Sequence, residues 1–190
     1  MNKKKLIILD LDETLIHATE KPIDNNWNFE LFSYKVYKRP FLITFLKELI
    51  KYYRIAVWSS ASDDYVHQIV SKIFPENYPL EFVWGRSKCT LELNYTSINE
   101  FGYLDYDDHL NYTKKLKKVK NKGYGNLEEI LIIDDTPMKC KHNYGNAIYP
   151  KEFLGNQQDN ELELLLSYLI KIHREKNFRK LEKRFWRKEI

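Results

Sequence analysis

Two aspartates with one residue between them, Asp10 and Asp12, close the aliphatic run Leu6-Ile7-Ile8-Leu9. If the chain turns tightly there, both carboxylates can face one small volume while Leu11 turns inward. Their mutual repulsion then requires a cation or a shared proton. Beside a hard divalent cation, Asp10 can both ligate and attack, and Asp12 can carry a proton. The plainer alternative is a strand-end turn in which Asp12 caps a short helix. A second aliphatic run, residues 129–133, ends on another acidic pair, Asp134-Asp135. It offers the other half of a cation site, with Asp134 a direct ligand, Asp135 direct or through water, and the Asp12 main-chain carbonyl a further oxygen.

The elements that must position these groups are buried strands. Leu6–Leu9 lacks polar alternation, so its expected place is inside a parallel sheet covered on both faces. Strand carboxyl ends are where open α/β folds bind ligands. Residues 54–58, Arg-Ile-Ala-Val-Trp, read as the next strand and bring Ser59 to the same edge. Its hydroxyl can donate to a phosphoryl oxygen or merely cap the helix beginning near Ser62. That helix runs to Ile73, with Tyr65, Val66, Ile69 and Val70 read as core. Residues 18–28 read as a loop, and 29–38 as a hairpin or a strand leading to Arg39-Pro40. Pro40 opens a helix through Tyr52. Residues 81–84 and 146–149 read as short strands, and Thr14 is placed to fix the aspartate turn. On charge alone, Lys114, Lys115 and Lys117 are equally eligible to meet an anion.

DLDETL at Asp10–Leu15, KRP at Lys38–Pro40, VWSSAS at Val57–Ser62, YTKKL at Tyr112–Leu116 and IIDDTP at Ile132–Pro137 occur in order. This series resembles the haloacid dehalogenase superfamily, in its branch of carboxyl-terminal-domain or NLI-interacting-factor-like phosphatases, across Lys4 to Ile172. The resemblance implies an α/β three-layer Rossmann-like sandwich with a mostly parallel sheet and a small β-rich insertion between the second and third motifs. It implies a magnesium-dependent phosphomonoester hydrolase with an aspartyl-phosphate intermediate. Asp10, Asp12, Ser59 and Lys114 are then catalytic, and Thr14 supports them. Ser60 and Arg86 are candidates for substrate contact, and Asp10, Asp12, Asp134 and Asp135 for magnesium. Many small family members carry Asn where this chain has Asp135. The implied substrate is phosphoserine or phosphothreonine in a protein. The alternatives are a nucleic-acid 3′-phosphatase, a small-metabolite phosphatase, and a non-catalytic protein-binding scaffold.

With 190 residues, 43% of them hydrophobic and 15% aromatic, the chain can bury a core and is not disordered. The expectation is one phosphatase domain over 1–190, with an insertion at about 85–112 and a basic C-terminal helix at about 160–188. Within the insertion, Glu92, Glu100, Asp105, Asp107 and Asp108 interleave with Tyr95, Phe101, Tyr103 and Tyr106, either as a peptide-receiving lip or as a solvated surface. Residues 171–190 carry nine basic and three acidic side chains, which leaves the rest of a chain of net charge +4 mildly acidic. A nucleic-acid partner is therefore disfavoured, the basic helix being its one route. No apolar run is long enough to span a membrane, and the start is no signal peptide, so the expected place is intracellular: cytoplasmic, or nuclear if eukaryotic. Cys89 and Cys140 read as buried thiols, and the five histidines have no metal-ligand spacing.

Overall fold

In the computed structural model, which describes residues 4–93 and 110–190, strand β1 (Leu6–Leu9) is buried on both faces, as its unbroken aliphatic run requires. Strands β2 (Ile16–Thr19), β3 (Phe29–Leu31) and β4 (Tyr34–Lys38) follow, then helix α1 (Leu42–Tyr52), strand β5 (Arg54–Trp58), helix α2 (Asp63–Ile73) and strand β6 (Leu80–Trp84). Next come β7 (Thr90–Leu93), β8 (Leu110–Thr113), α3 (Lys117–Asn121), β9 (Ile130–Ile133), β10 (Ala147–Ile148) and α4 (Glu161–Ile172).

The main sheet is parallel, in the order β10-β9-β1-β5-β6. Alternate β1 side chains enter opposite cores. Ile7 and Leu9 pack with buried residues of α1, α2 and α4, whereas Leu6 and Ile8 pack with Trp58, Trp84, Leu116 and Val119. The fold is thus a three-layer α/β sandwich, and each fully buried aliphatic of β1 contributes about 1.5–3 kcal/mol to it. The chain builds β5 and β6 on one side of β1 before returning to the other with β9. That reversal opens a crevice between the carboxyl ends of β1 and β9.

A second, antiparallel sheet, in the order β2-β4-β3, includes the hairpin expected over 29–38 and turns part of the expected loop at 18–28 into strand β2. Strands β7 and β8 pair antiparallel. Residues 94–109, which hold most of the acidic and aromatic side chains of the expected insertion, lie outside the described residues.

The basic C-terminal helix expected over about 160–188 is corrected by the structure. Helix α4 stops at Ile172, and the chain continues in 3-10 turns at Phe178–Lys180 and Trp186–Glu189. The reason lies in Phe178 and Trp186, both buried: one reaches the Tyr53 ring at 6.3 Å, the other the Tyr168 ring at 5.8 Å. A straight helix would carry them away from the core. The break is secured by the Asn177 side chain, which accepts from Arg179 N, and by the Lys183 ammonium, which donates to the Phe178 and Leu181 carbonyls.

Candidate active site

The loop after β1 is held by its backbone. Asp10 N donates to the Ile133 carbonyl, and the amides of Thr14, Leu15 and Ile16 converge on the carbonyl of fully buried Leu11. Glu13 sits in the left-handed region, with φ 56°, which lets the chain turn back so sharply. Because Leu9 is in register with Ile133, Asp10 and Asp134 leave adjacent strands side by side. Asp10, Asp134 and Asp135 each offer an oxygen within 4.8 Å of the others.

Of the three lysines eligible on charge, Lys114 is the one at this cluster. Its ammonium, with no solvent exposure, lies 2.8 Å from Asp10 Oδ2 and 2.6 Å from Asp134 Oδ2. Asn143 fixes its main chain, donating to the Lys114 carbonyl and accepting from Leu116 N. A second ammonium, for which the sequence carries no signal, stands beside it. Lys139, in the 3-10 turn after Asp135, comes within 3.5 Å of Asp10 Oδ2 from the more exposed side. Burial pushes the Asp10 carboxyl up, but Lys114 and Lys139 overcome it and leave its pKa below the ordinary value. Burial and the Asp10 charge raise Asp134 to about 6. Burial opposes the Lys114 ammonium, yet the two carboxylates more than offset it and raise its pKa.

This donor set fits magnesium. The clustered ligands are hard carboxylate oxygens, and three acids face two ammonium groups before any dianionic phosphate arrives. Buried Asp10 Oδ2 also has close cations but no aligned hydrogen bond. Among the described residues no histidine or cysteine joins the cluster.

Asp12 stands apart from the three-carboxylate group. Its Oδ1 accepts from the Tyr65 hydroxyl at 2.6 Å, so its side chain is turned toward α2. Burial raises its pKa, the Asp10 charge adds to this, and the Tyr65 hydrogen bond works the other way. The spacing of α2 shows Tyr65 as core, and nothing in that pattern reveals the hydroxyl's target. Thr14 reaches across to β9 rather than back to its own turn: it donates to Asp135 Oδ1 at 3.0 Å and accepts from Asp135 N at 3.2 Å. Buried Arg39 donates to the Thr14 carbonyl and to both carboxylate oxygens of Asp159.

Ser59 lies buried at the end of β5, where its Oγ accepts from Ala61 N, while Ser62 stands at the α2 N-terminus without a side-chain cap bond. Ser60 lines a cavity of about 230 Å³ at the mouth, with Asn111, Tyr112, Thr136, Met138 and Lys139. Arg86 is outside that lining. Its guanidinium donates to the Ser60 carbonyl and covers the Tyr112 ring at 5.0 Å, so it braces the cavity wall.

The parallel sheet thus gathers these carboxylates and one buried lysine in its switch-point crevice. The chain belongs to the NLI interacting factor-like phosphatase family, which it matches over residues 5–179. It is 26% identical over 189 residues to nuclear envelope morphology protein 1 of Saccharomyces cerevisiae, covering 88% of this chain and 39% of that protein. The same identity over 186 residues links it to CTD nuclear envelope phosphatase 1 of Xenopus tropicalis, at 88% and 66% coverage. A putative CTD phosphatase-like protein of Invertebrate iridescent virus 3 is 26% identical and similar in size, with 86% and 93% covered. Among solved structures, the fission yeast RNA polymerase II CTD phosphatase Fcp1 bound to beryllium fluoride shares the fold. Its TM-score is 0.64 at 16% identity, covering 90% of this chain and 62% of that one. Among the described residues no helix is long and apolar enough to cross a membrane.

Proposed function

We propose that this chain hydrolyses phosphomonoesters with magnesium, through an aspartyl-phosphate on Asp10, and that its substrate is phosphoserine or phosphothreonine in a protein segment. The observation that carries this reading is the clustering of Asp10, Asp134 and Asp135 oxygens within 4.8 Å, with the Lys114 ammonium between the first two.

Asp10, kept ionised by Lys114 and Lys139, attacks phosphorus, and the bond from phosphorus to the substrate oxygen breaks. Asp12, whose raised pKa lets it hold a proton, delivers that proton to the departing alkoxide. As a carboxylate it then takes a proton from the water that attacks phosphorus, which frees phosphate and restores Asp10. The Lys114 ammonium and the Ser59 hydroxyl meet charge on the equatorial oxygens. Asp10, Asp134, Asp135 and the Asp12 carbonyl would hold the magnesium, which would supply further positive charge against the phosphoryl oxygens. Thr14 keeps Asp135 aimed through its paired hydrogen bonds.

The protein substrate is supported by relatives named CTD phosphatases and by the open, partly aromatic cavity at the mouth, where Tyr112 and Met138 can receive a peptide side chain. An intracellular setting agrees with the two free, buried cysteines. Rates on phosphoserine peptides, nucleotides and sugar phosphates, with magnesium and with a chelator, test the reading. Magnesium-dependent turnover favouring the peptides is expected. No preference for peptide over free metabolite rejects the substrate assignment, and undiminished turnover in chelator rejects the metal.

A further inference from the structure

We infer that the flank of the sheet beside β9 and β10 binds single-stranded nucleic acid, in a groove separate from the Asp10 site. A cavity of about 400 Å³ there is lined by Lys115, Lys117, Lys120, His142 and Arg179 and by no carboxylate. It shares Tyr144 and Arg179 with a neighbouring cavity of about 330 Å³, to whose lining Lys141 and Arg184 add charge and Glu182 removes some. None of Asp10, Asp12, Ser59, Lys114, Asp134 and Asp135 lines either cavity.

The fold creates this surface by joining two distant basic segments. Residues 115–122 hold five lysines and no acid, and residues 171–190 carry a net charge of +6, in a chain whose total is only +4. The break after α4 brings the second segment back against the first. Gly145 lets the second segment close in on the turn after β9: at φ +75°, a Cβ there would stand 2.9 Å from the Arg179 carbonyl oxygen. Lys115, Lys141 and His142 surround the Glu92 carboxylate, but among the described residues Lys117, Lys120 and Arg179 have no carboxylate within 4.0 Å. Between the cavities stands Tyr144, with 88% of its surface exposed, so its ring face is open to a stacking partner.

Cations along a groove with an exposed aromatic on its ridge match a flexible strand, whose phosphates meet the lysines while an unstacked base lies on the ring. A duplex keeps its base faces hidden.

The test is fluorescence anisotropy of a labelled 12-nucleotide single strand with the intact chain. The same sequence as duplex and phosphatidylserine vesicles serve as comparisons, and thermal melts serve as the check of folding. Saturable binding to the single strand is expected, with affinity falling by a log–log salt slope of about −2 to −3 for three or four phosphate contacts. The triple variant Lys117→Glu, Lys120→Glu, Arg179→Glu should weaken binding at least about 100-fold, and Tyr144→Ala by about fivefold or more, since stacking on an aromatic contributes that much per base. Wild-type affinity in the folded triple variant overturns the site. An unchanged affinity in Tyr144→Ala overturns the stacking role, and tighter binding to duplex or vesicles overturns the assignment to single strands.

Discussion

The Lys114 ammonium bridges Asp10 and Asp134, 2.8 Å from one carboxylate and 2.6 Å from the other, and all three side chains are shielded from water. One buried cation thereby holds together the ends of two neighbouring strands, β1 and β9. Lys114→Met leaves two buried carboxylates facing each other, which in metal-free protein should cost about 3–5 kcal/mol. Magnesium replaces part of the missing charge, so the loss should shrink in its presence. Urea unfolding with chelator and with magnesium checks this; an equal loss under both conditions contradicts the shared cation site.

Asp12 gives a pH signature whose sign is fixed by its surroundings. Burial raises its pKa, and as an acid it must be protonated, so kcat/KM for an alkyl phosphate should fall as pH rises through a pKa raised from the ordinary aspartate value. The Tyr65 hydroxyl favours the ionised form. Tyr65→Phe removes that donor, raises the Asp12 pKa further and should move the alkaline limb to higher pH. A limb that stays in place or moves down contradicts proton delivery by Asp12.

In the first turnover, Asp12→Asn should slow release of the alcohol from an alkyl phosphate by about 10²–10⁴-fold, with a much smaller effect on first-turnover release of an activated phenol, which leaves without a proton. Parallel rates on the two esters check it. Equal losses on both assign Asp12 another role.

Arg39 is a support rather than a reacting group. Its buried guanidinium binds Asp159 at 2.7 Å and 2.9 Å while holding the Thr14 carbonyl, and through Thr14 it steadies Asp135. Asp159→Ala leaves the guanidinium buried without a counter-charge and should cost about 3–5 kcal/mol. Arg39→Met combined with Asp159→Asn removes the charge problem and should cost less. Equal or greater loss in the double variant, measured by urea unfolding, contradicts that account.

The central strands and their terminal acids were legible because burial on both faces demands unbroken aliphatic runs, and such runs end where Asp10, Ser59 and Asp134 stand. The sheet order fixes which of those ends are neighbours, and composition carries no trace of it. Among Lys114, Lys115 and Lys117, selection depended on which side chain points inward after β8, a matter of register rather than of charge. The target of the Tyr65 hydroxyl and the place of Lys139 are illegible for the same reason: each belongs to an ordinary-looking element, and only tertiary packing aims it at the aspartates. The helix expected over about 160–188 runs too far because Phe178, Leu181, Phe185 and Trp186 roughly fit helical spacing. Burial of Phe178 and Trp186 instead requires the chain to fold back.

The most direct measurement is the mass of the chain after acid quench, using Asp12→Asn and an aryl phosphate. With a good leaving group the first step proceeds without the Asp12 proton, whereas opening of the intermediate lacks its base. The account predicts one equivalent of released phenol and one phosphoryl group per chain, on the peptide that contains Asp10. Continued turnover with no phosphoryl group on that peptide would contradict it.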